Sequence, residues 1–114
     1  MKAWVTQLRK GVTELVVLRM LAQEEMYGYR LVQRLKALDG LEITESTVYP
    51  VLNRLVEDGS LQGREVRSST GPPRRYFSVT TTGRQRLGEM MACWQGLCKA
   101  IDDLQDSTAA GEHA

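Results

Sequence analysis

Histidine is almost missing from this chain; the only one, His113, is the penultimate residue. Cysteine is scarce too, with 2 residues, too few for a disulfide framework. No long apolar run exists. The longest stretch without a charge, residues 90–98, has 9 residues, whereas a membrane span needs about 20. Lys2, Arg9 and Lys10 break up the apolar residues at the start, so nothing there reads as a signal peptide. These absences exclude a small disulfide-stapled scaffold and a helical membrane protein. The expectation is a soluble cytoplasmic protein in a reducing compartment, with no membrane partner.

Catalytic signatures are missing as well. The chain has no GxSxG, HExxH, GxGxxG, P-loop or CxxC spacing. Its adjacent carboxylates, Glu24–Glu25 and Asp102–Asp103, would point about 100° apart on a helix, so they read as solvated surface and not as a dyad. His113 lies where chain ends fray. Cys93 and Cys98 are five apart, so one helix cannot turn both toward one metal, and they read as small hydrophobes. No enzyme, cofactor or metal site is expected.

What the chain does have is an ordinary single domain's composition: 114 residues, 42% hydrophobic and 25% charged. Its net charge of +1 hides an asymmetry. Residues 1–58 balance. Residues 59–86 hold Arg64, Arg67, Arg74, Arg75, Arg84 and Arg86 against Glu65 alone. Residues 87–114 hold Lys99 against Glu89, Asp102, Asp103, Asp106 and Glu112. An arginine segment beside an acidic one implies a face for phosphate and a face kept from it.

Periodicity supplies the elements. Residues 11–23 carry Val12, Leu15, Val16, Leu18 and Leu21 at helical spacing, preceded by a short helix or docked arm at 3–9. Residues 27–38 read as a second helix, ended by Asp39-Gly40. A third begins near Thr44, with Val48, Val51, Leu52, Leu55 and Val56 on one side and Ser46, Tyr49, Asn53, Arg54 and Glu57 opposite. Pro50 costs ~3 kcal/mol inside a helix, which favours a start near Ser46. Asp58-Gly59 closes it. Strands at 61–67 and 75–80 flank the loop Ser68-Ser69-Thr70-Gly71-Pro72-Pro73, and Thr80 or Thr81 caps a last helix to about Gln105. The fold class is mainly α with a small β-hairpin. Residues 1–80 form a winged helix-turn-helix, 81–105 a dimerisation helix and 106–114 a disordered tail.

The last helix carries a seven-residue repeat. Leu87, Trp94 and Ile101 occupy one position; Met90, Leu97 and Leu104 occupy the other. A two-fold homodimer is the expected way to bury them.

Three motifs now carry a resemblance. Thr47-Val48-Tyr49-Pro50-Val51-Leu52-Asn53-Arg54-Leu55 resembles the T-x-Y-P-x-L-x-R-L signature of PadR-like transcriptional regulators. Met26-Tyr27-Gly28-Tyr29 is similar to that family's entry to the second helix, and Gly71-Pro72-Pro73-Arg74-Arg75-Tyr76-Phe77-Ser78-Val79-Thr80 to its wing, with Gly83 following. Thr44 and Val79 depart from the pattern, standing where serine and leucine are common. The length and single last helix resemble the small second subfamily. The resemblance implies a dimeric winged-helix repressor of double-stranded DNA, released by a small planar aromatic or phenolic ligand at the dimer interface. Trp94 holds the place of a tryptophan that faces its two-fold mate in that subfamily.

Expected DNA contacts are Ser46, Thr47, Tyr49, Asn53 and Arg54 from the third helix, with Arg74 and Arg75 from the wing. Two bland alternatives stand beside these: Tyr49 packed against the wing, and Arg54 paired with Asp58 at i+4. Period two sends Arg74 and Arg75 to opposite sides of the strand. Expected ligand contacts are Trp94, Met90, Met91, Leu97 and Ile101, and the expected dimer seam is Leu87, Met90, Trp94, Leu97, Ile101 and Leu104. The competing function is a winged-helix module that binds a protein and no DNA.

Overall fold

The structure is a computed structural model. It describes residues 1–38 and 40–112, with side chains described as far as Leu104. Asp39, part of the expected end of the second helix, and His113 lie outside the described residues. Four helices and three strands follow in the order α1 (Lys2–Gln23), β1 (Met26–Tyr27), α2 (Gly28–Lys36), α3 (Glu45–Glu57), β2 (Leu61–Val66), β3 (Arg74–Val79) and α4 (Thr81–Glu112).

The first helix corrects the sequence expectation. It is one element of 22 residues that passes through Gly11, not a helix preceded by a separate arm. Its N-terminal half is held by Thr13, whose buried hydroxyl donates to the Arg9 carbonyl at 2.6 Å, and by Arg9, whose Nε donates to the Leu41 carbonyl. Val17, Leu18 and Leu21 then enter the core. There they meet Leu31, Val32 and Leu35 of α2 and Val48, Leu52 and Leu55 of α3. These are the positions that a 3.6-residue period puts on one face.

The second helix starts one residue later than expected, because Met26 and Tyr27 are strand. Met26 pairs with Phe77 and Tyr27 with Tyr76, so the hairpin becomes a three-stranded antiparallel sheet of order β1-β3-β2. In the hairpin itself Leu61 pairs with Val79 and Val66 with Arg74. Leu61 and Phe77 are buried, so this face of the sheet closes the core.

Thr44 precedes α3, and its carbonyl accepts the N–H groups of Thr47 and Val48 at 3.0 Å. The helix therefore starts at Glu45, one residue before the predicted Ser46. That leaves Pro50 in the second turn, where it offers no N–H to the Ser46 carbonyl. The far end is a Schellman turn. Gly59 has φ +82°, its N–H donates to Val56, and the Ser60 N–H donates to Leu55.

Thr80 caps α4. Its Oγ1 accepts the Gly83 N–H at 3.0 Å while its hydroxyl and its own N–H donate to the Ser60 carbonyl at 3.1 Å each. Such a cap is worth about 1 kcal/mol. Here it also fixes α4 to the α3–β2 turn. Helix α4 has 32 residues and runs beyond the predicted end at Gln105, into the segment expected to be a disordered tail. Leu87 and Met90, the first two members of the heptad repeat, are half-buried against the protomer's own core. Trp94, Leu97, Ile101 and Leu104 are exposed.

Candidate nucleic-acid interface

The outward side of α3 shows Ser46, Tyr49, Pro50, Asn53 and Glu57 to solvent. Opposite it stands the tip of the hairpin. Between them runs a cleft of about 590 Å³, lined by Tyr27, Tyr29, Tyr49, Asn53, Pro72 and Arg74 among others. Ser46 and Thr47 sit in the first turn of α3, where backbone N–H groups lack intrahelical partners. Their hydroxyls are grouped with that of Thr44, at 3.0 Å from Ser46 and 3.3 Å from Thr47.

Tyr49 leans on Gly28. A β-carbon built at Gly28 would lie 3.1 Å from Tyr49 Cε1 and 3.2 Å from its hydroxyl. Glycine at the head of α2 is what lets the phenol lie against the backbone there. Burial, and to a smaller degree the Glu45 charge, raises the Tyr49 pKa above its ordinary value, so the phenol stays protonated and able to donate. Gly28→Ala is expected to push Tyr49 into the cleft and weaken DNA binding about tenfold, with little change in the melting temperature. Anisotropy and a thermal melt on the same sample check it.

The two wing arginines leave β3 on opposite faces. Arg74 places its Cζ 4.6 Å from the centre of the Tyr27 ring, on the face shared with Tyr76. Tyr27 stacks in turn on Tyr29 at 6.5 Å. Arg75 lies across Gly63, with its Cζ 5.1 Å from the Phe77 ring. A β-carbon at 63 would come within 2.7 Å of Arg75 Nε and displace the guanidinium from this position.

The arginine segment is not a uniform patch. Arg64 is held by both oxygens of Glu25. The Arg64 hydrogen bond keeps the Glu25 carboxyl below its ordinary pKa despite some desolvation. Arg86 is paired with Glu14 and with Asp58 at 2.9 Å. Arg67, Arg74, Arg75 and Arg84 make no ion pair among the described residues. Three of these four are on the wing. Arg54 turns to the flank of α3 and pairs with Glu14 of α1 at 2.8 Å. This stands in place of the alternative i+4 pair with Asp58, which is taken by Arg86.

A second cavity, about 550 Å³, lies between α1 and α4. Leu8, Val12, Leu15, Val16, Met91 and Trp94 are half of its lining, which also includes Arg19 and Arg34. Of the five expected ligand residues the structure brings Met91 and Trp94 to this cavity. Met90 turns to the core, and Leu97 and Ile101 lie farther along α4, outside the lining. Sequence reasoning gave no role to Tyr27, Tyr29 or the glycines behind Tyr49 and Arg75. The one signal was glycine set between aromatic residues at 27–29. Among the described residues no His, Cys, Asp and Glu cluster could hold a metal, and no helix is long and apolar enough to cross a membrane.

A polar-faced helix flanked by a basic hairpin, on a core of three helices, defines a winged helix-turn-helix protein. The sequence profile of the "Transcriptional regulator PadR-like family" matches residues 17–89. The transcriptional regulator Rv3488 of Mycobacterium tuberculosis is 31% identical over 103 residues, 90% of this chain and 94% of that protein. The crystal structure of a PadR family transcriptional regulator from Eggerthella lenta superposes with a TM-score of 0.81 at 34% identity, covering 90% of this chain and 89% of that one. Bacillus subtilis PadR in complex with operator DNA shares the fold at a TM-score of 0.65 and 24% identity, over 70% of this chain and 46% of that one. The chain belongs to the PadR-like family of transcriptional regulators, and is not an enzyme.

Proposed function

We propose that this protein is a homodimeric repressor that binds a pseudo-palindromic operator and leaves it when a small planar aromatic ligand enters at the dimer interface. The observation that carries the DNA reading is the cleft with the α3 face on one side and Arg74 and Arg75, without an ion pair among the described residues, on the other. A fold neighbour solved on its operator DNA supports the same reading. On our reading, Ser46 and Thr47 meet phosphate, Tyr49 meets sugar or a thymine methyl, and Asn53 reads a base. Arg74 and Arg75 hold the flanking backbone. Arg54 keeps the helix seated through Glu14 and lends its charge to the same phosphate strand.

Dimerisation is supported by Trp94, Leu97 and Ile101, which are 37%, 53% and 55% exposed on a helix that outruns its own domain. Ligand release is supported by the apolar cavity under Trp94 and Met91, of a size suited to a small aromatic guest.

The test is fluorescence anisotropy on DNA from upstream of the protein's own gene, at several salt concentrations, against a scrambled duplex. Tight, selective binding with one dimer per site is expected. Arg74→Ala and Arg75→Ala should each weaken binding to all sequences alike and lower the salt slope by about one unit. An unchanged slope removes that arginine from the interface. Weak, equal binding to both duplexes would favour the protein-partner reading instead. A ligand that quenches Trp94 fluorescence and lowers DNA affinity supports release; binding with no change in DNA affinity overturns it.

A further inference from the structure

One cluster of charged side chains lies outside the cavity and shares only Arg54 with the DNA face. Glu14 of α1 is mostly buried, its side chain 16% exposed, and it accepts from two guanidiniums. Arg54 Nη2 of α3 reaches Glu14 Oε2 at 2.8 Å, and Arg86 Nη2 of α4 reaches Glu14 Oε1. The other end of the Arg86 fork, Nη1, reaches Asp58 Oδ2 at 2.9 Å, at the C-cap of α3. Asp58 Oδ1 accepts the Ser60 N–H at 3.0 Å. Two carboxylates and two guanidiniums thus join α1, α3 and α4 with no net charge.

The geometry is that of a joint. The α3–β2 turn at Asp58, Gly59 and Ser60 is gripped from both sides by the first turns of α4. Thr80 and Gly83 close on the Ser60 carbonyl, and Arg86, one turn later, closes on Asp58. Among the described residues Arg86 makes the only ion pair between α4 and the end of α3. Any tilt of α4 about its cap must therefore move Asp58 with it or break the Arg86 fork. Lysine is a poorer substitute, because its compact ammonium lacks the planar fork whose two nitrogens reach Glu14 and Asp58.

We infer that Arg86, seated on Glu14 and Asp58, is a positioning residue that sets the angle between α4 and the recognition helix α3, and thereby the half-site spacing the dimer accepts. The inference rests on the dimeric DNA-binding reading above. Half-sites on one duplex face lie roughly 34 Å apart, so a small change in this angle is enough to misplace one helix against its groove. A tight joint makes spacing a specificity determinant; a loose one lets each half seek its own site.

The experiment uses a duplex selected from a randomised library by the wild-type protein, and the same duplex with one or two base pairs inserted at its centre. Wild type should lose about tenfold or more in affinity on the inserted duplexes. Arg86→Lys, which keeps the charge, and Glu14→Gln should bind the selected duplex within about fivefold of wild type, yet lose no more than about threefold on insertion. The readout is a ratio within one protein, so partial unfolding cancels from it, whereas a purely structural role would scale all duplexes together. Variants that discriminate spacing by the same factor as wild type overturn the inference. So does a wild type that binds selectively but ignores the insertion. A wild type that selects no duplex at all, or binds as a monomer, overturns the dimeric DNA-binding reading itself.

Discussion

Gly83→Ala is expected to lower the melting temperature by more than 10 °C, at fixed protein concentration, for a loss of roughly 3 kcal/mol. A β-carbon at this position would lie 2.0 Å from the Ser60 carbonyl oxygen, 2.9 Å from its carbon and 2.8 Å from Val79 Cγ1. The Ser60 carbonyl cannot retreat cheaply. It already accepts the Thr80 N–H and hydroxyl, and the next peptide opens β2 against β3. Helix α4 would have to lift from the sheet and take Leu87 and Met90 out of the core. The same substitution at an open helical site has the opposite sign, because alanine is the better helix former by about 0.8–1.0 kcal/mol. Gly11 in α1 and Gly88 in α4 have nothing within 4 Å of a built β-carbon. Gly11→Ala and Gly88→Ala should therefore raise the melting temperature by a few degrees. A Gly83→Ala variant that melts with those two would mean that α4 does not approach the turn so closely.

The parts of the fold legible in the sequence are those that local physics decides. The apolar stripe of α3, the Asp58-Gly59 stop, the loop before Arg74 and the Thr80 cap each follow from spacing or from one residue's conformational preference. The parts that were not legible depend on partners distant in sequence. Gly11 argues for a break, yet α1 runs through it, with Arg9 docked on the Leu41 carbonyl 32 residues away. Two residues of strand at Met26 and Tyr27 leave no periodicity to read; they pair because β3 offers them an edge.

The same holds at the site. Arg54 and Asp58 stand at i and i+4, a spacing that contributes only about 0.2–0.5 kcal/mol. Glu14, 40 residues away, takes Arg54 instead, and Arg86 takes Asp58. Burial of Glu14 explains the outcome, since a carboxylate removed from water needs its partners more than an exposed one does. Asp58 responds likewise. Burial would raise its pKa, but hydrogen bonding by Ser60 and the charges of Arg86 and Arg54 outweigh this and leave it lowered. A count of six arginines in one segment therefore overstates the cation available to DNA. The alternation of Arg74 and Arg75, by contrast, needed only the period of a strand.

Leu97→Asp is expected to convert the proposed dimer to a monomer and to cost more than a hundredfold in operator affinity. Leu97 and Ile101 are exposed on the part of α4 beyond the core, and the heptad assigns Leu97 to the proposed seam with Trp94. Burying each such side chain contributes about 1.5–3 kcal/mol, and two-fold symmetry counts the loss twice. A loss of about 4 kcal/mol is already a thousandfold in a dissociation constant. Folding of the winged domain should survive, because its core of Leu18, Leu35, Leu52 and Leu55 is remote from residue 97. Gln95→Asp carries the same added charge on the outer side of the helix and should leave both dimer and affinity intact. Sedimentation and anisotropy on the two variants separate the cases. If Leu97→Asp stays dimeric with full affinity, the seam does not run through this position. If it becomes monomeric and still binds the operator as wild type does, paired recognition helices are not what gives the protein its grip on DNA.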